Sequence, residues 1–123
     1  MELETGGKRI ANVSADDVVR ELRAEDEFVI LSASKEEFVQ TGGGVLEYHE
    51  NGRHFRAART PIDASLIERV FLSYLAGDGR WRRLVEWEDV TDELRRSGHW
   101  QMWIALAAIA ALIAWLAYRL MSG

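Results

Sequence analysis

The sequence predicts an α+β domain with an antiparallel sheet of about five strands and two helices on one face, followed by one transmembrane helix. Three observations lead to this class. An Asn51-Gly52 pair separates two strand-like runs, and this pair is the preferred sequence of a two-residue hairpin turn. Apolar residues follow helical spacing between Ile67 and Leu75. The 19 residues from Trp100 to Tyr118 include a single polar one, Gln101.

Composition divides the chain near residue 98. Of the 24 residues from Trp100 to Gly123, 20 are hydrophobic, whereas all 20 acids and 14 of the 15 bases lie in residues 1–99, whose net charge is −6. An acidic domain argues against a nucleic-acid partner, and a chain without cysteine has no disulfide, thiol nucleophile or thiolate metal site. We therefore expect a flexible N-terminus (1–12), a cytoplasmic domain (13–92), a linker (93–99) and a transmembrane helix (100–120).

The first half of the domain predicts one helix and two strands. Residues 1–12 are polar and contain glycine, so we expect them to be frayed. Ser14 has the side chain of a helix N-cap, with acids in the following turn, which predicts a helix over about 15–24. The apolar run 28–32 and the run 37–41 predict two strands.

The Asn51-Gly52 turn determines the pairing of the next two strands. A two-residue loop predicts five opposed pairs: Glu50 with Arg53, His49 with His54, Tyr48 with Phe55, Glu47 with Arg56, and Leu46 with Ala57. One face then carries the apolar side chains of Leu46, Tyr48, Phe55 and Ala57, which we assign to the core. The opposite face carries Glu47, His49, His54 and Arg56.

A second helix and a last strand complete the predicted order α-β-β-β-β-α-β. Thr60 is a candidate cap with Pro61 in the first turn, and Gly77 ends the helix. Its apolar stripe is long enough to cover one face of a sheet. The run from Trp81 to Trp87 is expected to form the final strand.

The C-terminal run has the length and flanks of a membrane span. As a helix, 19 residues reach about 28 Å, close to the hydrocarbon thickness of about 30 Å. Trp100 and Trp103 lie at one end, and Trp115 and Tyr118 at the other, followed by Arg119; aromatic belts of this kind mark the two interfaces. A run that is apolar on every face does not suit a surface-lying helix, and a buried core helix is the less favoured alternative.

The flanking charges predict orientation and location. Arg95 and Arg96 precede the span, against one arginine after it, and no export signal precedes the domain. We expect a single-pass protein of the bacterial inner membrane with a cytoplasmic N-terminal domain. Alanines at three- and four-residue spacing, such as Ala107, Ala111 and Ala114, leave a homodimer through this helix open.

The outer hairpin face is the leading candidate site for a partner. Glu47, His49, His54 and Arg56 share it, and paired histidines titrate near neutrality, which favours a pH-dependent contact surface. Zinc is an alternative that we do not favour, because at most three ligands lie on a flat surface. The acidic end at Glu86, Glu88 and Asp89 is the second candidate.

No motif predicts catalysis or a cofactor. Gly42-Gly43-Gly44 lies between two strands and is not followed by a Lys-Ser/Thr pair, so a turn is favoured over a phosphate loop. No Ser/His/Asp arrangement or metal-ligand spacing is present. We therefore predict a protein that is not an enzyme and carries no cofactor or metal.

Residues 26–90 resemble small bacterial domains grouped with the Imm1-type immunity proteins. The resemblance lies in FVQ, GGGVLEYHENGRHF, FLSYLAGD and the spacing of two tryptophans. The matching positions are Phe38, Gln40, Leu46, Glu47, Tyr48, His54, Phe71, Tyr74, Leu75, Gly77, Asp78, Trp81 and Trp87. This resemblance implies a non-catalytic binding module whose acidic surface neutralises a toxin, although the added membrane anchor departs from the family. The alternative is an accessory or regulatory subunit of a membrane complex, assembled through the transmembrane helix.

Overall fold

A computed structural model of the chain describes residues 1–24, 27–93, 113 and 115–122. It shows an α+β fold with a seven-stranded, fully antiparallel sheet in the order β2-β1-β3-β4-β5-β6-β7. The elements are β1 (Glu2–Thr5), β2 (Arg9–Ala11), α1 (Ala15–Arg23), β3 (Val29–Ser32), β4 (Phe38–Gly42), β5 (Val45–Glu50), β6 (Arg53–Ala57), α2 (Ala64–Ala76), α3 (Trp81–Leu84) and β7 (Trp87–Asp89). Residues 115–122 are also helical.

The expected count of about five strands is wrong, because the N-terminal residues form a hairpin. Residues 1–12, expected to be flexible, supply β1 and β2, and β1 pairs with β3 inside the sheet. Leu3 and Thr5 are buried, whereas Glu2 and Glu4 project from the opposite face. The alternation of apolar and polar residues in β1 is only four residues long. The burial of Leu3 and Thr5 depends on pairing with β3, which lies more than 20 residues away.

The β5–β6 hairpin has the predicted register. Four of the five predicted pairs, from Glu47–Arg56 to Glu50–Arg53, are present, and the register does not extend to Leu46–Ala57. Asn51 and Gly52 both have positive φ angles, 52° and 75°, as a type I′ turn requires. Leu46, Tyr48 and Ala57 are buried on the core face, as expected.

The helices pack on one face of the sheet. Val18 of α1, Val70 and Phe71 of α2 and Trp81 of α3 belong to the same buried cluster as the inward-facing residues of the strands. Ser14 forms the predicted cap of α1, completed by Asp17 in a capping box. The cap of α2 is Asp63, which accepts a hydrogen bond from the Ser65 amide, and Thr60 lies outside the helix.

The strand expected from Trp81 to Trp87 is instead a short helix followed by a short strand. The Ser73 hydroxyl accepts a hydrogen bond from the Trp81 amide at 2.8 Å and donates to the Asp78 carboxylate. Asp78 also accepts from the Arg80 amide. These bonds turn the chain at the end of α2 and bury Trp81, so that only Trp87–Asp89 reach the sheet edge.

Among the described residues, no helix has both the length and the apolar character needed to cross a bilayer. Of the predicted span 100–120, only residues 113 and 115–120 are described, and the linker beyond residue 93 also lies outside the described part of the chain.

Candidate functional site

The outer hairpin face brings together the four predicted residues on the side of the sheet opposite the helices. Strand alternation places Glu47 and His49 of β5 and His54 and Arg56 of β6 on this side, because Tyr48 and Phe55 point into the core. Gln40 of β4 lies directly opposite Glu47 and joins the group. The register of the hairpin therefore assembles the site.

Glu47 is the centre of a hydrogen-bond network. Its Oε2 accepts from Gln40 Nε2 at 3.0 Å and from His54 Nε2 at 2.7 Å, and its Oε1 accepts from Arg56 Nε at 3.3 Å. The Glu47 side chain is only 16% exposed. Because a buried carboxylate needs such donors, the network orients three neighbouring side chains around one charge.

The network also determines the ionisation of Glu47. Burial by itself raises the pKa of this carboxyl, but the hydrogen bond and charge of His54, with the bonds from Gln40 and Arg56, lower the pKa to below its ordinary value. Glu47 therefore carries its negative charge at neutral pH. An anionic acceptor on Nε2 also places a proton on that nitrogen of His54.

His49 is buried, and its surroundings differ from those of His54. Its Nδ1 donates to the Glu36 carbonyl at 2.6 Å, because a carbonyl oxygen can only accept. The ring stacks on Phe38 with a centroid separation of 5.3 Å, and the whole residue is 9% exposed. His49 is therefore less accessible than the other three side chains of this face, and it ties the β3–β4 loop to the sheet.

The two histidines are neighbours across the hairpin. Their ring centroids are 6.1 Å apart and their planes are tilted by 57°. In the described part of the chain, no three histidine, aspartate or glutamate side chains are grouped so that they could hold a metal ion. The chemistry that this arrangement supports is hydrogen bonding with a contacting molecule.

The acidic end is not a single cluster. Asp89 lies opposite Phe55, on the helix side of the sheet, whereas Glu88 lies opposite Arg56 on the outer face. The Asp89 carboxylate accepts from the Thr91 amide and from Arg53 Nε at 2.7 Å. The Thr91 bonds foremost, with those of Arg53, lower the pKa of Asp89 to about 2. Glu86 and Glu88 are exposed.

Sequence reasoning missed two residues of the site: Gln40, which shares the outer face, and Thr91, which is buried and holds the backbone of His54. Gln40 enters through the β4–β5 register, which the Gly43-Gly44 turn sets. Thr91 accepts a hydrogen bond from the His54 amide at 2.8 Å and fastens the chain beyond β7 to β6. The signal for Gln40 was its place in the strand 37–41, whereas Thr91 had none, because its partner is 37 residues away.

The predicted anchor residues are described in part. Trp115 and Tyr118 are 53% and 72% exposed, and the Arg119 guanidinium lies 5.1 Å from the centre of the Trp115 ring. Trp115 and Tyr118 also line a cleft of about 410 Å³ together with residues 4–9 around the β1–β2 turn. Trp100 and Trp103 lie outside the described residues.

Comparisons with known proteins identify no relative: no family model, curated protein or solved structure matches the chain. The resemblance to the Imm1-type proteins stays a prediction, and the function has to be argued from the site.

Proposed function

We propose that this protein is a tail-anchored bacterial membrane protein whose domain binds a protein partner without catalysis. The observation that carries the proposal is the Glu47 network. Three donors hold one partly buried carboxylate on a sheet face that no described helix covers. A rigid polar centre on a face that the described helices leave uncovered is a suitable contact for another protein.

The membrane part of the proposal rests on the apolar C-terminal segment. Its described residues leave large apolar side chains in solvent: Ile113, Trp115, Leu116, Tyr118, Leu120 and Met121. A core helix would bury such side chains, whereas a bilayer covers them. The bias of the flanking arginines supports a cytoplasmic domain at the bacterial inner membrane.

Insertion has a structural consequence that can be measured. Trp115 and Tyr118 border the cleft beside the β1–β2 turn, and a spanning helix would carry both away from it. In the cysteine-free chain, a Gly7→Cys and Tyr118→Cys pair should therefore react with a short bis-maleimide in the detergent-free soluble fraction but not in membranes. A membrane-bound protein that still cross-links would contradict the spanning arrangement.

Membrane extraction provides an independent test. The full chain should stay in the membrane pellet after alkaline carbonate treatment. Leu112→Arg places a charge near the middle of the span, at a cost of about 2.5–3.5 kcal/mol, and should release protein, whereas Ser122→Arg beyond the span should not. Equal extraction of wild type and both variants would refute the anchor.

The partner follows from charge and from the family resemblance. A net charge of −6 over residues 1–99 attracts a basic protein at long range. The Imm1-type resemblance supports a toxin as that partner, which the domain would inhibit by covering it.

Photo-cross-linking in cells can locate the contact. A photoreactive residue replacing Glu88, exposed on the outer face, should capture a protein, whereas one replacing Arg69, exposed on α2, should not. Capture from position 69 alone would refute the outer face as the contact. A toxin gene next to this one would support the inhibitor form of the proposal.

The second candidate is an accessory subunit of a membrane complex. The alanine spacing from Ala107 to Ala117 favours close helix packing in lipid, including a homodimer. Cross-links confined to residues 100–120 would support this candidate instead.

A further inference from the structure

We propose that the outer hairpin face takes a carboxylate side chain of its protein partner, held jointly by His54 and Arg56, and that binding takes up a proton. This inference deepens the proposed function, on which it rests, by naming the chemical group that the face recognises.

Arg56 and His54 each use only one side-chain nitrogen within the described part of the domain. Arg56 uses only Nε toward Glu47, and no other described residue bonds to its two terminal nitrogens. His54 uses Nε2 toward Glu47, and its Nδ1 has no hydrogen-bond partner within the described residues. Since no buried side-chain nitrogen or oxygen there lacks a partner, Nδ1 is not fully buried, and the His54 side chain as a whole is 13% exposed.

The remaining nitrogens of Arg56 and His54 suit a carboxylate. Terminal guanidinium nitrogens are donors only, and they match the two oxygens of a carboxylate. Because Nε2 of His54 already carries a proton, a second proton must occupy Nδ1, and that nitrogen then also becomes a donor. Protonated His54 and Arg56 thus present donors from one strand, with Glu47 holding both in place.

Side chains of both charges surround His54. Glu47 and His49 face it from β5, Arg56 from its own strand, and Glu88 extends from β7 opposite Arg56. Counting Glu47 and Glu88 as carboxylates and Arg56 as a cation, a proton on His54 brings the summed charge of these four side chains from −1 to zero. Protonation therefore removes the repulsion that an incoming carboxylate would meet, while the acidic domain as a whole still attracts a basic partner.

The probe for this site is acetate, titrated into the ¹⁵N-labelled full chain in detergent micelles, with chloride at the same ionic strength as reference. Amide signals of residues 53–57 should shift, and acetate should bind more tightly at pH 5.5 than at pH 7.5, because a proton on Nδ1 of His54 adds a donor to the site. Ethylammonium should cause no comparable shift.

Three variants separate the roles. Arg56→Gln should abolish acetate binding, and His54→Gln should leave weak binding that no longer depends on pH. Arg9→Gln, which removes an arginine from the same face near Glu2 and Glu4, should change nothing.

Several results would overturn the proposal: no acetate shift, binding that weakens on acidification, a larger response to ethylammonium, or equal loss in Arg9→Gln. Photo-cross-linking from position 88 reports separately on the proposed function. If capture persists while acetate fails to bind, the carboxylate assignment falls and partner binding stands.

Discussion

Lys8 and Glu21 form an ion pair in which one partner is buried and the other is not. Lys8 Nζ donates to Glu21 Oε1 at 2.9 Å; the glutamate side chain is 2% exposed and the lysine side chain 57%. Arg20 Nε lies 3.3 Å from the same oxygen. The pair fastens α1 to the β1–β2 turn, and its asymmetry predicts unequal effects of removing either partner.

Lys8→Met leaves a buried carboxylate with Arg20 alone. Breaking a fully buried pair costs about 3–5 kcal/mol, but water already reaches this lysine, so we expect a loss of about 1–2 kcal/mol. Glu21→Leu instead leaves a lysine that water can solvate and adds apolar surface to the core side of α1. This variant and the double variant should stay within about 1 kcal/mol of wild type.

The free energy of unfolding that the Lys8–Glu21 pair contributes should fall on acidification. The hydrogen bond from Lys8 is the largest influence and lowers the pKa of Glu21; burial opposes it, and the bond from Arg20 reinforces it, so that the folded-state pKa lies below the ordinary 4.5. The pair therefore stabilises the fold fully above the ordinary value, and this contribution is lost as the pH falls through the folded value. Glu21→Leu should flatten that part of the acid limb.

Urea unfolding of the full chain in mild detergent, followed by the fluorescence of Trp81 and Trp87, measures these differences. At the usual urea sensitivity of about 1–3 kcal/mol per molar, Lys8→Met should lower the midpoint by roughly 0.5–1 M. Arg23→Met removes the more exposed Arg23–Glu68 pair and should lower the urea midpoint far less. An unchanged midpoint in Lys8→Met, or a larger loss in Glu21→Leu, would refute the reasoning.

Three further predictions concern the core, the helix cap and the site. Phe71→Ala should cost about 3–5 kcal/mol by urea unfolding, because the ring is fully buried between the helices and the sheet; a loss below about 1 kcal/mol would contradict this packing. Asp63→Ala should lower stability by about 1 kcal/mol in thermal unfolding while Thr60→Ala does not, and the reverse ranking would show that the cap is at Thr60. Glu47→Gln should flatten the loss of stability on acidification, since the folded-state pKa of this carboxyl is lowered and its contribution disappears as the pH falls through that value; an acid limb like that of wild type would contradict the network.

The elements predicted correctly were those whose signals are local. Asn51-Gly52 determines a turn within two residues, and the pairing of Glu47 with Arg56 follows by counting outward. Ser14 caps the beginning of α1 and Gly77 the end of α2, each through hydrogen bonds to residues close in sequence. The membership of the outer face followed from this register without further information.

The elements that sequence reasoning got wrong depend on distant partners. Leu3 is buried because β1 finds β3, and no residue near it signals that pairing. The segment 81–87 was expected to be a strand. Instead, the Trp81 amide donates a hydrogen bond to the hydroxyl of Ser73, eight residues earlier, and Trp81 begins α3. In both cases a short apolar pattern suits several structures, and a tertiary contact selects one.

Within the site, sequence determined which side chains share a face, and only the tertiary structure decided what each one does there. Strand alternation is a property of the backbone, so Glu47, His49, His54 and Arg56 were placed together by counting. Their roles depend on neighbours from other strands and loops. The Glu36 carbonyl and the Phe38 ring contact His49. Glu47, which also accepts from Gln40, orients His54 and Arg56. The physical reason is that hydrogen bonds between side chains form only where separate segments meet, and only the folded sheet brings those segments together.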